Sequence, residues 1–589
     1  MLTESTQRAS DGVGDGPGRP AQDGAGPSTL TWAAALLGPL ILLVIYRLVV
    51  FKALTNSDAM DFAQIGRNLG AGHGFSTLIL RPLAIHGADA LRQPDVTHGP
   101  LYPVCLAVAF ALFGAKDAVA SSVSGLFYVL TVPLIYLLGG RLFSARVGAL
   151  AATVFAVNSY VLDYAISGTH ITLCLFLATA LFLVFHGVAS AVRSPEGGAA
   201  QTVPTGKLLL CGALAGLLYL ADPMFAWLLP VLLVAVLALH DTRRTQYGLW
   251  LVLGILVLAG PWMLRNLMVA GNPVFGLRGR EVWMNTTIYP GYVAYRMHPD
   301  DVVPGQLLIR SVAKKILIGG AQVLQTFPQA PMAWMLAFLL PSLFFRMRNP
   351  EASATRRAAL WSLTALMAGG LLFSLQITFF LVLAPVLVVF ACAYLLYIAG
   401  QAQLSKGSTR LAVALIAFAV AYPLLAQMVL GERPDAVKEM VSAQALVSQS
   451  QPTDVVLSDV PWVVAWYADR PSLWLPADDR RLPELRKLFP GNQYVLITEQ
   501  SRAFSQGWQW VYSILQQQND RHASLKDKSQ VGSGSVRLDA SRVPKEVVEK
   551  LPLVSELNGL EWLKPAEGAA RSTVVAALPP AAAAKPAGG

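Results

Sequence analysis

Apolar residues in this chain fall in long runs, not at the spacing of two or 3.6 that marks half-buried strands and helices. A bilayer crossing takes about 20 such residues, fewer where neighbouring helices shelter it. Eleven runs meet that measure: 31–52, 118–139, 146–163, 167–190, 207–221, 224–240, 247–269, 331–346, 358–375, 377–398 and 410–430. A twelfth, 101–114, is shorter, follows Pro100 and contains Pro103, which predicts an interfacial or re-entrant helix. The pattern predicts an all-α polytopic membrane bundle of about 11 helices over 31–430, with two long loops at 53–117 and 270–330.

Beyond residue 431 the pattern changes. Asp454-Val-Val-Leu-Ser-Asp459 and Tyr494-Val-Leu-Ile-Thr498 read as strands, while Pro461–Tyr467, Arg480–Leu488 and Trp508–Gln517 read as helices. Strands alternating with helices predict a small C-terminal α/β domain over 431–565. Residues 1–30, rich in Gly, Pro, Asp and Ser, and the Ala- and Pro-rich 566–589 predict disordered tails. There is no internal repeat of the kind found in many secondary transporters.

Charge orients the bundle. Counting from a cytoplasmic N-terminus, one set of loops holds Arg141, Arg146, Arg193, Arg243, Arg244, Arg346, Arg348, Arg356, Arg357, Lys406 and Arg410. The opposing short loops, around Asp163, Asp222 and Gln376, hold no Lys or Arg. That asymmetry obeys the positive-inside rule, and treating 101–114 as a crossing would erase it. Loops 53–117 and 270–330 and residues 431–589 are then extracytoplasmic. The first run is too long for the apolar core of a signal peptide and lacks a clear cleavage site, so it reads as a retained span.

The chain is 54% hydrophobic and 14% charged, against about 25% charged in soluble domains. Its net charge of +10 is carried mainly beside the apolar runs, which assigns it to membrane orientation and not to nucleic acid. Cys105, Cys174, Cys211 and Cys392 all lie inside apolar runs, without a CxxC pair, which argues against disulfides and thiolate metal sites.

Candidate chemistry concentrates in the first loop. In Asn56-Ser-Asp58-Ala-Met-Asp61 the two acids share a helix face if the segment is helical, since residues three apart are neighbours. The alternative is that Ser57 or Asp58 caps the helix and Asp61 favours its positive end. His98 and Tyr102 stand just before the short apolar run, where a Tyr is often an interfacial anchor. The potential ligands Asp58, Asp61, His73 and His98 are widely spaced. They are compatible with a divalent cation, though their spacing assigns no metal ligand set and points to no other cofactor. Arg265 lies about a turn inside the outer boundary of the seventh run. There it can snorkel to the interface or hold a phosphate. Asp163, His170 and Asp222 lie at outer ends that could face the same cavity.

These stretches resemble bacterial GT-C membrane glycosyltransferases of the protein O-mannosyltransferase and lipid A aminoarabinose transferase type. The matching segments are Asp58-Ala-Met-Asp61-Phe-Ala-Gln-Ile-Gly-Arg-Asn-Leu with Gly-His-Gly-Phe75, and His98-Gly-Pro-Leu-Tyr-Pro103 with Leu112-Phe-Gly114. Gly212–Leu220 and Pro261-Trp-Met-Leu-Arg-Asn266 with Gly271-Asn-Pro-Val-Phe275 complete the set over about 31–430. Val460–Tyr467, Asp469-Arg-Pro and Trp474-Leu-Pro476 look like the extracytoplasmic domain of some members.

The resemblance implies a GT-C-like bundle in the bacterial cytoplasmic (inner) membrane. It also implies inverting transfer of a sugar from a polyprenyl-phosphate donor to an acceptor hydroxyl at the outer face. The acceptor, whether protein, lipid or polysaccharide, is left open. Asp58 matches the catalytic base, with Asp61 as a substitute. Arg81, Arg92, His98, Tyr102, His170, Arg265 and Asn266 are the substrate-binding candidates.

There are two departures. Where members often have Arg-Pro-Pro or Lys-Pro-Pro this chain has His98-Gly99-Pro100, which leaves the phosphate to Arg265, Arg81 or Arg92. Where many have an acid at the start of the fourth span, this chain has Ser167-Gly-Thr-His170. Two other classes accommodate the same features: a transporter or flippase for a lipid-linked saccharide, and a non-catalytic membrane assembly protein acting through its C-terminal domain. The aromatics Trp462, Trp466, Tyr467 and Trp474 suit either a core or a binding face.

Overall fold

The computed structural model describes most of residues 28–517, apart from 85–90, 194–203, 240–242, 287–288, 290–292, 299–304, 327–334, 346, 348, 374–376, 403–404, 431–435, 490, 505–506, 510 and 515. Past 517 it describes 561–562 and 573–578. Residues 1–27 of the expected N-terminal tail, the start of the eighth run, Arg346, Arg348, Gln376 and most of the expected C-terminal tail lie outside the described residues.

The chain enters as α1 (Thr29–Val50), forms α2 (Ser57–Gly70) and α3 (Leu101–Phe113) in the first loop, and returns as α4 (Asp117–Leu142). The bundle continues through α5 (Ala145–Ala156), α6 (Ser159–Ser167), α7 (Ile171–Arg193), α8 (Thr205–Ala221), α9 (Leu228–Leu237) and α10 (Arg244–Ala270). Then follow α11 (Gly305–Thr326), α12 (Leu336–Phe344), α13 (Pro350–Leu372), α14 (Ile377–Leu381), α15 (Ala384–Gln401), α16 (Lys406–Leu430) and α17 (Ala436–Val447).

Among the described residues five of these helices, α1, α4, α7, α10 and α15, are long and apolar enough to cross a membrane. A sixth crossing arises if α5 and α6, bent by 62° at their junction, count as one. The chain is a multi-pass membrane protein. The eleven expected spans do not all appear as such helices. The run 207–221 is the shorter apolar helix α8, and the run 377–398 is broken between α14 and α15. The short run 101–114 becomes α3, whose 13 residues reach about 20 Å, less than the roughly 30 Å hydrocarbon core. Inside the loop 270–330, α11 is a helix that the run pattern does not reveal, because Arg310, Lys314 and Lys315 interrupt its apolar positions.

Small residues let the bundle close. Where α8 crosses α10, Gly212 and Gly254 bring the backbones together, and a Cβ on Gly254 would lie 2.5 Å from the Leu209 carbonyl oxygen. Lipid tails are as apolar as Leu, so close packing of this kind is a main source of helix association in a membrane.

The first loop carries β1 (Ser76–Thr77), β2 (Ile79–Leu80) and β3 (Gln93–Pro94), with β1 and β3 paired antiparallel. The C-terminal region adds β4 (Val455–Ser458), β5 (Ser472–Trp474), β6 (Gln493–Ile497), β7 (Glu561–Trp562) and β8 (Val574–Ala577). They form a sheet in the order β2-β5-β4-β6-β8-β7, parallel from β2 to β6 and antiparallel beyond. The first loop thus supplies a strand to the C-terminal sheet. Residues alternate across a strand, so Val456 of β4 joins the core of the bundle while Val455 and Leu457 join a second cluster with Trp508 and Tyr512. The strands match the sequence reading to within a residue. The expected disordered tail from 566 is corrected at β8, where β-branched Val574 and Val575 complete the ladder of β6.

Candidate active site

The capping question at α2 has a clear outcome. The Asn56 side chain accepts hydrogen bonds from the backbone N–H of Asp58 (2.8 Å) and of Ala59 (3.4 Å), so the cap is Asn56 and not Ser57 or Asp58. That leaves the Asp58 carboxylate in the first turn, near the positive end of the helix dipole and unengaged by the cap.

Asp58 lines a cavity of about 510 Å³. Every lining residue comes from a segment that the charge pattern puts on one side of the bundle. Asp58, Asp61 and Phe62 come from α2, Arg81 follows β2, and Thr97–Gly99 precede α3. Tyr164 lies in α6, Thr169–Ile171 open α7, and Ala221–Pro223 run from the last residue of α8 into the turn after it. Arg278, Glu281 and Tyr295 come from the loop 270–330, and Trp462 and Trp474 from the C-terminal region. The Thr97–Gly99 turn presses on the end of α8 so closely that a Cβ at Gly99 would collide with the Leu220 carbonyl oxygen.

One wall is built from the first loop. Arg81 donates to Asp61 (2.5 Å) and to Asp95 (3.4 Å), and all three side chains are buried. His98 approaches both acids, with Nδ1 3.3 Å from Asp95 and Nε2 3.6 Å from Asp61. Gln64 also donates to Asp61 (2.9 Å), and Thr97 to Asp95 (2.9 Å). Burial alone would raise the Asp95 pKa, but His98 and Arg81 hold it well below the usual carboxylate range. Burial alone would lower the His98 pKa, but Asp61 and Asp95 outweigh it and raise it.

The opposite wall repeats the recipe. Arg278 donates to Asp222 (2.5 Å) and to Glu281 (2.9 Å), His170 Nε2 lies 3.2 Å from Asp222, and Tyr295 donates to Glu281 (2.9 Å). Asp222 also caps the turn Pro223–Trp227 through the Met224 N–H. Its pKa, which burial would raise, is held far down by Arg278 and His170. Four carboxylates line the cavity, and three of them are paired with an Arg. Asp58 alone has no ion pair or side-chain hydrogen bond among the described residues.

Of the other candidates, Arg92 and Tyr102 stand outside the cavity lining. Tyr102 is buried edge-on against Phe62, with ring centroids 5.5 Å apart. Arg265 stacks over Trp262 (4.7 Å) and Phe75 (5.5 Å) and donates to the buried Asn266 (3.3 Å), again outside the lining. Asp163 is engaged by Tyr46 and Gln427, away from the cavity. Trp462 and Trp474 meet edge to face at 5.8 Å in the cavity wall, whereas Trp466 and Tyr467 bond to Asp117.

Ligand atoms of Asp61, Asp95 and His98 lie within 4.8 Å of one another, close enough to share one cation, while His73 sits in an exposed loop. The Arg81 guanidinium already rests on both acids, so this set fits a divalent ion only if Arg81 withdraws. Sequence reasoning missed Asp95, Arg278, Glu281 and Tyr295. The signal for two of them was the charged cluster Arg278-Gly-Arg280-Glu281 in the loop 270–330.

Residues 97–264 match the family model described as dolichyl-phosphate-mannose-protein mannosyltransferase. No curated protein is matched by sequence. Among solved structures, ArnT from Cupriavidus metallidurans bound to undecaprenyl phosphate is similar with a TM-score of 0.54 and 14% identity, over 93% of this chain and 98% of that one. An Archaeoglobus fulgidus oligosaccharyltransferase in complex with Zn and sulfate gives a TM-score of 0.53 and 15% identity, over 79% of this chain and 68% of that one. AglB from the same organism, with an inhibitory peptide and a dolichol-phosphate, gives 0.52 and 13%, over 80% and 70%. The shared architecture shows a fold like that of ArnT and the archaeal oligosaccharyltransferase, and the segment 97–264 within it resembles the mannosyltransferase model.

Proposed function

We propose that this protein is a glycosyltransferase that moves a sugar from a polyprenyl-phosphate donor to an acceptor hydroxyl at the outer face of the bacterial cytoplasmic membrane, with inversion. The observation that carries this reading is the unpaired Asp58 at a cavity whose other lining carboxylates are all neutralised. A paired carboxylate is a poor base, because its cation stabilises the charged form. Asp58 is thus the group suited to take the acceptor proton, an effect worth about 10²–10⁴ in rate. The acceptor oxygen attacks the anomeric carbon, the carbon–oxygen bond to phosphate breaks, and the polyprenyl phosphate leaves as an anion.

That anion needs cations, not a general acid. Arg81 and Arg278 line the cavity and each spends two of its five N–H donors on acids, leaving donors for phosphate. They replace Arg265 and Arg92 as the favoured partners. The likeness to proteins solved with undecaprenyl phosphate and dolichol-phosphate supports the donor class.

The test is Asp58→Asn, assayed against a panel of labelled undecaprenyl-phosphate sugars in reconstituted membranes. Loss of transfer by about 10²–10⁴-fold with unchanged thermal stability is expected. An active Asn variant would overturn the base assignment, and movement of labelled lipid without a new glycosidic product would favour a flippase.

A further inference from the structure

The helix that carries Asp58 is anchored at its far end by a part of the chain 399 residues away. Arg67, in the last turn of α2, donates through Nη1 to the Trp466 carbonyl (2.9 Å). Through Nη2 it reaches the Ala465 carbonyl (2.6 Å) and the Asp469 carboxylate (2.7 Å). The guanidinium also lies 5.0 Å from the Trp466 ring centroid. These acceptors belong to a π-helical turn, Val464–Ala468, that ends at Asp469 in the left-handed region with φ 53°. A helix end leaves carbonyls without partners, and here a side chain of α2 supplies donors for two of them.

The same turn is held from its other side. Asp117, at the start of α4, accepts from the Trp466 indole N–H (2.7 Å) and the Tyr467 hydroxyl (2.8 Å). It also accepts, more weakly, from the Leu54 N–H that precedes α2 (3.3 Å). Trp466 stacks on Phe110 of α3 at 5.8 Å. Turn 464–469 thus joins the exit of α2, the body of α3, the start of α4 and the chain entering α2. None of these groups lines the cavity.

Leverage gives the contact its meaning. Asp58 and Arg67 are nine residues apart, about 14 Å along the helix axis. A tilt of about 5° about the Arg67 end would move Asp58 by roughly 1 Å, and a misplacement of that size can cost about 10²-fold in rate.

We propose that Arg67 is a positioning residue for transfer: by pinning the exit of α2 to the 465–469 turn, it sets where the Asp58 carboxylate stands in the cavity. The inference rests on the reading of Asp58 as the base. It assigns the C-terminal region a part in aligning the reaction, whatever that region binds.

The test compares full-length wild type, Arg67→Ala, Arg67→Lys and Asp469→Asn in lipid nanodiscs. Labelled undecaprenyl-phosphate mannose and undecaprenyl-phosphate aminoarabinose serve as donors, and amide exchange is followed over residues 57–70. Arg67→Ala is expected to lower kcat by about 10–100-fold with donor KM within about threefold, and to speed exchange in α2 but not in α4. Arg67→Lys should recover part of the kcat loss. Asp469→Asn, which keeps a residue tolerant of positive φ, should lower kcat about two- to fivefold.

Unchanged kcat, an effect confined to KM, or unchanged α2 exchange would overturn the proposal. If Arg67→Ala does not fold, Asp469→Asn decides in both arms. If wild type consumes neither donor, the transferase reading fails for those sugars, and the exchange arm alone decides whether Arg67 positions α2.

Discussion

The two walls of the cavity use one recipe, an Arg bridging two buried acids with a His on one of them, yet they are assembled differently. The Arg81 wall is drawn from one stretch, residues 61–98, whereas the Arg278 wall needs residues 170, 222, 278, 281 and 295 from three separate loops. Their redundancy differs too. His98 approaches both acids of its wall, while His170 approaches only Asp222 and leaves Glu281 to Arg278 and Tyr295. A local wall with overlapping partners tolerates the loss of one, and a dispersed wall with one central cation does not.

The largest effect that would break this comparison is at Arg278. Removing one partner of a buried pair leaves an uncompensated charge and costs about 3–5 kcal/mol. Arg278→Ala should reach that range in unfolding from mixed micelles, since Glu281 loses its only Arg partner among the described residues. Arg81→Ala should fall toward its lower end because His98 still faces Asp61 and Asp95. Equal losses for the two variants would remove the distinction.

A smaller effect is expected where the walls meet. A Cβ at Gly99 would push against the Leu220 carbonyl, two residues before Asp222, so Gly99→Ala should cost about 1–3 kcal/mol and widen the cavity. A thermally unaltered variant would show that the contact does not set the spacing.

The smallest effect is in pH. His98 has its pKa raised in the folded protein. Its pairing therefore stabilises fully below the ordinary His value of about 6.5 and is lost as pH climbs through the higher folded value. Thermal unfolding followed from about pH 6 upward should show this alkaline decline, and His98→Gln should flatten it. Asp95, with its pKa lowered, acts in the opposite sense, stabilising above the ordinary carboxylate value and failing on acidification. A decline that persists in His98→Gln would assign the titration elsewhere.

How much of the site was legible follows the same division. The first loop announced itself, because Asp58, Asp61, Arg81 and His98 are polar groups crowded between apolar runs, and four of the expected residues do line the cavity from that segment. His170 was legible as a polar group at an outer helix end. For Arg265 the sequence leaves snorkelling and phosphate binding open, and the structure places it over Trp262 and Phe75, outside the cavity lining. In the sequence both a cap and a base suit an acid in a first turn at Asp58, and only the direction of the Asn56 side chain takes the capping role away from it.

The sequence by itself determined the membrane character and the strand positions near 455 and 494, since these rest on local composition and period. Tertiary structure alone decided which acids are paired, that a strand from residues 79–80 completes a sheet built some 400 residues later, and that Arg67 grips the turn at 465–469. Pairing and leverage depend on distances between segments, and apolar runs of similar length carry no record of which neighbours they will meet.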